Sequence, residues 1–94
     1  MSTVQQSSEV LYMALELSDK SWKLGFSNGS KVRERNIFAR DCAAVVREVS
    51  QAKERLGLPA DAVVVSCYEA GRDGFWIHRF LTAEGIENLV VDPS

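Results

Sequence analysis

Two glutamates, Glu16 and Glu69, are the residues of this sequence best placed for chemistry. Glu16 lies near the end of the apolar segment EVLYMALEL, and Glu69 directly follows the β-branched run AVVVSCY. Carboxylates on neighbouring strands repel each other unless a proton or a divalent cation lies between them. Carboxylate oxygens with room for phosphate and water suit Mg²⁺ better than Zn²⁺. The pattern predicts a magnesium site. The competing interpretation is that a glutamate at a strand end is a solvated loop residue or a partner of the following helix start, and Asp19 is an alternative to Glu16.

Other reactive residue types lack the spacing of a site. His78 has no second His or Cys at ligand spacing, and neither Cys42 nor Cys67 belongs to a CxxC or Cys/His pattern. We interpret His78 as structural and the cysteines as buried, reduced thiols of a cytoplasmic protein. The GRDG segment, residues 71–74, lacks the spacing of either glycine-rich phosphate fingerprint. We expect it to form a tight turn in which Asp73 caps the following helix.

Three strands are predicted before the first helix. EVLYMALEL is the first, and SWKLGFS alternates so that Trp22, Leu24 and Phe26 share one face. The Asn28-Gly29 pair between the second and third strands predicts a type I′ hairpin turn. KVRERNIF is a charged third strand, as is typical of sheet edges.

The second half of the chain alternates between helix and strand. A helical period runs from Arg40 to Leu56, with Asp41 as its cap and Gly57 at its end. Its apolar stripe comprises Cys42, Val45, Val46, Val49, Ala52 and Leu56, and its solvent face comprises Arg47, Glu48, Gln51, Lys53 and Glu54. AVVVSCY predicts a strand covered on both faces. A helix from about Asp73 to Glu84, ended by Gly85, and the strand IENLVVD follow.

The order βββαβαβ predicts an α/β domain with a mixed five-stranded sheet and helices packed on it. Right-handed crossovers and an apolar fourth strand favour the strand order 3-2-1-4-5. The sheet then changes its direction of growth between the first and fourth strands, and open α/β sheets bind ligands at such a point. Glu16 and Glu69 are expected there, with Ala14 on the face of Glu16 and Met13 and Leu15 on the opposite face.

Composition limits the class of protein. With 94 residues, the chain holds one domain at most, and its net charge of −2 argues against a stand-alone nucleic-acid binder. Residues 1–9 are polar and are expected to be a disordered lead-in rather than a secretory signal. No apolar run approaches the ~20 residues that span a bilayer, so no membrane partner is expected.

Two long segments resemble a known family. ALELSDKSWKLGFSNG and VVVSCYEAGRDGFWIHRFLTAEGIENLVVDPS are similar to the N-terminal part of bacterial insertion-sequence transposases of the one-ten type. These DEDD transposases are related to the Piv DNA invertase and have an RNase H-like (RuvC-like) N-terminal domain. The resemblance, which runs over residues 10–94, implies that fold and Mg²⁺-dependent DNA strand transfer in transposition. It also implies DNA partners, namely insertion-sequence ends and target, and a guide RNA; a homo-oligomer is expected as well.

The resemblance also implies residue roles. The family binds Mg²⁺ through a tetrad of acids; Glu69, in YEAG, matches the second, and Glu16 falls where the family usually has a shorter Asp. Because the third and fourth acids lie downstream of the VVDPS segment in the family, residues 10–94 are expected to be a truncated domain that is inactive alone. Two other functions stay open: a non-catalytic module that self-associates or docks through an exposed edge, and a small flavodoxin-like enzyme that takes phosphate at AGRDG.

Overall fold

Seven elements make up the fold. The computed structural model describes residues 9–71 and 75–92. The elements are β1 (Val10–Leu17), β2 (Ser21–Ser27), β3 (Val32–Phe38), α1 (Cys42–Arg55), β4 (Val63–Glu69), α2 (Trp76–Ala83) and β5 (Glu87–Val91). The predicted lead-in, apart from Glu9, and the predicted cap Asp73 lie outside the described residues.

The five strands form one mixed sheet. Its order is β3-β2-β1-β4-β5, with antiparallel pairing on the β3 side of β1 and parallel pairing from β1 through β4 to β5. The predicted α/β class, element order and strand order are confirmed. The charged strand β3 lies at an edge, as its composition indicates.

One face of the sheet carries both helices and the hydrophobic core. The predicted alternation is confirmed, since Leu11, Met13 and Leu15 of β1 are buried on this face together with the apolar set of β2. The helices contribute Val45 and Ile77 among others to the same cluster. Among the described residues, neither helix is long and apolar enough to cross a membrane.

The opposite face, which we call the open face, is not covered by any described element. Tyr12, Val63 and Leu89 are exposed there, and Val65 and Cys67 are only half-buried. The prediction that β4 is covered on both faces is therefore wrong for the described part of the chain. A run of β-branched residues suits either environment, so the run alone does not establish double coverage.

The β2–β3 hairpin differs from its prediction. Ser27 pairs with Val32, so the connection is the four-residue loop 28–31 rather than a two-residue turn. A type I′ turn needs positive φ at both central residues. Gly29 has a φ of 97°, but Asn28 is not among the residues with positive φ.

The side chain of Asn28 explains the longer loop. Its Oδ1 accepts hydrogen bonds from the backbone N–H groups of Ser30 (2.8 Å) and Lys31 (2.7 Å). Its Nδ2 donates to the carbonyl of Leu56 at the end of α1, at 2.9 Å. The loop conformation is therefore coupled to a tertiary contact that no local pattern reveals.

Helix α1 begins later than predicted. Arg40 has a φ of 65°, which is incompatible with a right-handed helix. The helix begins at Cys42, and the predicted cap is confirmed, because the Asp41 carboxylate accepts a hydrogen bond from the N–H of Ala44 at 3.0 Å. Both cysteines are free and half-buried, rather than fully buried as expected.

The buried stripe of α1 includes a charged residue. Glu48, predicted to face solvent, is buried, and Val46, predicted for the apolar stripe, is exposed. The reason lies on β3, where Arg33 and Arg35 point toward the helix and lie within 4 Å of the Glu48 carboxylate. An ion pair thus replaces an apolar contact at the edge of the core.

Helix α2 is shorter than predicted, running from Trp76 to Ala83, and Gly85 follows its end with a φ of 81°. His78 on this helix has a structural partner, since its Nδ1 lies 3.0 Å from Nδ2 of Asn88. Asn88 also accepts a hydrogen bond from the buried hydroxyl of Ser66 at 2.6 Å. This polar chain joins α2, β5 and β4, in keeping with the structural interpretation of His78.

Candidate functional site

The structure brings Glu16 and Glu69 together at the carboxyl ends of two adjacent parallel strands. The β1–β4 register pairs Leu15 with Tyr68, so the next position on each strand sets Glu16 beside Glu69. Leu15 and Tyr68 are buried on the helix side. Because side chains alternate along a strand, both glutamates point to the open face.

The two glutamates line a cleft of about 880 Å³ at this end of the open face. Ala14 and Gly25 pair across β1 and β2 and both line the cleft. A Cβ placed on Gly25 would come no closer than 4.0 Å to the carbonyl oxygen of Ala14. These small residues leave open space above the sheet, and charged side chains surround that space.

The described lining of the cleft carries four carboxylates and one ammonium group. The acids are Glu16, Asp19, Glu34 and Glu69, and the cation is Lys23. Lys23 is the direct cross-strand partner of Glu16 on β2, and its Nζ lies 3.6 Å from Oε1 of Glu16. The surplus of negative charge attracts cations and repels phosphate groups unless a cation is bound.

Glu16 and Glu69 differ in their contacts. Glu16 has its ion pair with Lys23, although its side chain is 77% exposed. Glu69 is exposed at the end of β4, and the described residues offer its carboxylate no ion pair. Both carboxylates are therefore accessible to solvent and to a hydrated ion.

Asp19, the sequence alternative to Glu16, follows the end of β1 and also lines the cleft. Its backbone carbonyl accepts a hydrogen bond from Arg40 at 3.0 Å. Since Glu16 is the residue that the strand register sets beside Glu69, it is the better candidate for a shared ligand.

Glu34 and Lys23 were not among the residues that sequence reasoning singled out. Glu34 lies on β3 opposite Gly25, so it reaches the cleft only through the pairing of the hairpin. A two-residue turn at Asn28-Gly29 would have set Glu34 opposite Lys23 instead, because Ser27 would then have paired with Ser30. The alternation of side chains along β2 and β3 predicts which face Lys23 and Glu34 are on. The length of the connecting loop determines which residues lie opposite them on the paired strand.

The acids fit a hydrated magnesium ion better than a closed metal site. Mg²⁺ keeps several waters and is usually held by one or two carboxylates, and Glu16 and Glu69 are two exposed carboxylates on the same face. Within the described residues, no group of three or more His, Cys, Asp and Glu side chains is arranged to hold a metal ion. A structural zinc site, which needs four such ligands, is therefore not found in this part of the chain. The alternative phosphate loop, AGRDG, falls mainly on residues 72–74, outside the described residues.

Comparison with known proteins connects this domain to a transposase by name. No family model matches the chain. The chain is 38% identical over 91 residues to a curated protein of Sinorhizobium fredii (strain NBRC 101917 / NGR234) named "Putative transposase y4rJ". The match covers 89% of this chain but 22% of that protein, so the chain spans about a fifth of the length of its relative. The predicted relationship to a transposase is confirmed at this level.

Proposed function

We propose that this chain is the part of a DNA transposase that contributes two metal-binding acids, Glu16 and Glu69, to the catalytic site. The single observation that carries the proposal is the register of β1 and β4, which sets the two carboxylates side by side on the open face. The similarity to a protein named as a transposase supports it. Strand order 3-2-1-4-5 is also the order expected for an RNase H-like domain.

The finer assignment follows the family resemblance of the sequence. We propose that the chain is an RNase H-like (RuvC-like) domain of the DEDD, Piv-related transposases of the one-ten type. Its partners are then the ends of an insertion sequence and the target DNA, with a guide RNA and a second copy of the protein in the assembly. Such an assembly acts on DNA in the cytoplasm.

In this proposal the residues of the cleft bind and orient, and they do not react covalently. Glu16 and Glu69 would hold one Mg²⁺ through their carboxylate oxygens, and Ala14 and Gly25 leave space in the cleft for a phosphate. When bound, Mg²⁺ offsets phosphate charge and activates a water or hydroxyl for in-line displacement. Glu16 is one methylene longer than the aspartate usual in the family, so its oxygens reach further from β1.

A magnesium titration followed by NMR tests the site. Amide shifts are expected at the ends of β1 and β4, around Glu16 and Glu69. Glu16→Gln and Glu69→Gln should each weaken binding strongly, because each removes one of two charged ligands. Glu87→Gln is the matched control, since Glu87 is also an exposed strand glutamate but lies at the start of β5, beside Val65 and four positions away from Glu69 along β4. If Glu16→Gln, Glu69→Gln and Glu87→Gln bound Mg²⁺ with equal affinity, the proposed site would be disproved.

The chain by itself is expected not to cleave DNA. Two-metal phosphoryl transfer needs ions about 4 Å apart held by several carboxylates. The described residues provide no group of three such ligands. Incubation of the chain with supercoiled plasmid and Mg²⁺ should therefore leave the plasmid intact. Cleavage that persists in Glu69→Gln would contradict the assigned role of Glu69.

A second candidate function is self-association without catalysis, and the open face favours it. Tyr12, Val32 and Leu89 are exposed around an almost entirely apolar depression of about 410 Å³ on this face. Exposed apolar patches mark interaction surfaces. Sedimentation over a concentration series should show a dimer that Leu89→Lys abolishes. Val46→Lys, an exposed apolar site on α1, is the control and should leave the dimer intact; a monomer at every concentration would remove this candidate.

A further inference from the structure

Lys23 is the one cation among the described residues that line the acidic cleft. It is not one of the two predicted ligands, Glu16 and Glu69, yet the register of β1 and β2 sets it directly opposite Glu16. Its ammonium lies 3.6 Å from the Glu16 carboxylate, and none of the ion pairs in the described chain connects it to Asp19, Glu34 or Glu69. The contact is thus directed at one of the two proposed metal ligands.

The pair contributes little to folding. The side chain of Lys23 is 48% exposed and that of Glu16 is 77% exposed. Exposed pairs of this kind are weak, because water screens the charges and both side chains lose freedom. A weak contact is easily exchanged for a stronger one, and a divalent ion attracts the same carboxylate with twice the charge.

We propose that Lys23 competes with the divalent cation for the Glu16 carboxylate and thereby sets the metal affinity of the cleft. This inference rests on the proposed function, since it takes Glu16 and Glu69 as the ligands. The ammonium and the metal ion are both cations, so they repel each other when both lie beside the Glu16 carboxylate. A bound metal would therefore weaken the contact of Lys23 with Glu16, and the ammonium would stay in the cleft lining, where a substrate phosphate could meet it.

Magnesium titrations of matched variants, by calorimetry and NMR, test the competition. Lys23→Gln should bind Mg²⁺ about two- to tenfold more tightly than the wild type, because it removes one competing charge. Lys23→Arg keeps the charge and should retain wild-type affinity. Lys20→Gln removes a charge from the exposed turn after β1, outside the lining of the cleft, and should change affinity less than about twofold.

The side-chain signals give a readout that does not depend on activity. The ε-methylene resonance of Lys23 should move with Mg²⁺ concentration, and that of Lys20 should not. In a Glu16→Gln background the effect of Lys23→Gln should vanish, because no shared carboxylate is left. If Lys23→Gln increased the Mg²⁺ affinity equally in that background, the increase would be a general effect of charge, and the proposed competition for Glu16 would be wrong.

The outcomes separate this inference from the proposed function. If Mg²⁺ binds in a manner that depends on Glu16 and Glu69, but Lys23→Gln leaves the affinity unchanged or lowers it, the inference is wrong and the metal site stands. If neither the wild type nor Lys23→Gln binds Mg²⁺ saturably, both are wrong.

Discussion

Replacing Glu48 by glutamine tests how α1 is held against the edge strand β3. Oε1 of Glu48 lies 3.5 Å from Nε of Arg35 and 3.8 Å from Nη2 of Arg33. Nη2 of Arg33 also lies 3.5 Å from Oε1 of Gln51, one turn further along α1. The substitution removes the charge and keeps the shape of the side chain, so the loss measures the ion pairs.

The expected loss follows from the exposure of each partner. Removing one member of a fully buried pair costs about 3–5 kcal/mol, and an exposed pair contributes about 0.2–1 kcal/mol. The side chain of Arg33 is 18% exposed and that of Arg35 is 49% exposed, so water screens the second pair. Oε1 of Glu48 and Nε of Arg33 also lack a hydrogen bond, which lowers the value of the first pair. We expect a loss of about 1–2 kcal/mol, or about 4–16 °C in Tm for a domain of this size.

Urea and thermal unfolding followed by circular dichroism measure this loss. Glu54→Gln is the matched control, because Glu54 lies on the exposed side of the same helix and should lose less than about 0.5 kcal/mol. Arg33→Met combined with Glu48→Met should be more stable than Glu48→Met alone, because the mostly buried charge of Arg33 is then no longer left without its partner. Arg35 loses Glu48 in both variants, but its side chain is half-exposed and water solvates its charge. If Glu48→Gln lost no more unfolding free energy than Glu54→Gln, the ion pairs would not hold α1 against β3, and the reasoning would be refuted.

Three further predictions concern the ends and the environment of α1. Asp41→Ala should cost about 1 kcal/mol in urea unfolding because the cap to Ala44 is lost, and Asp41→Asn should retain most of it; equal losses would contradict the cap. Burial, followed by the charges of Asp41 and Glu84, raises the pKa of Cys42. Alkylation of this thiol by iodoacetamide should therefore be slow near pH 8 and accelerate at higher pH, because the thiolate is the reactive form. The reaction should be faster in Asp41→Asn, which removes one of the two charges. Because the folded state holds the thiol proton more tightly than the unfolded state, this contribution to the free energy of unfolding is fully present below the unfolded-state pKa of the thiol. It is lost as pH rises through the folded-state pKa. Gly57→Ala should cost about 1 kcal/mol, because Gly57 has a φ of 73° after the last turn; an unchanged urea midpoint would count against that strain.

The parts of the fold that the sequence predicts are those governed by short-range patterns. Alternation in β2 identified the buried faces of Trp22 and Phe26, and the glycine after each helix identified its end. The strand order followed from two general rules, handed crossovers and burial of the apolar fourth strand. These patterns depend on neighbours within a few residues, and that is why they can be read from one chain.

The features that sequence reasoning missed depend on partners distant along the chain. Glu48 has the charge of a solvent-facing helix residue, and its burial follows from Arg33 and Arg35 on a strand that precedes the helix. Asn28 is a residue type common in two-residue turns, but here its side chain donates a hydrogen bond to the carbonyl of Leu56, and the loop has four residues. That loop in turn decides which residue faces Glu34 in the candidate site. Each error comes from a tertiary contact that overrides a local preference.

The proximity of Glu16 and Glu69 is imposed by the core and not by the two carboxylates. Like charges on adjacent strands repel, and the ion pair that Glu16 makes with Lys23 is exposed and weak. The residues just before them, Leu15 and Tyr68, are buried, and a slip of one position between the strands would turn one of the two to the open face. Burial therefore holds the register, and the register sets the two acids beside each other. Two carboxylates that a buried core sets side by side are what the proposed divalent-cation site requires, because a bound cation would attract both of them.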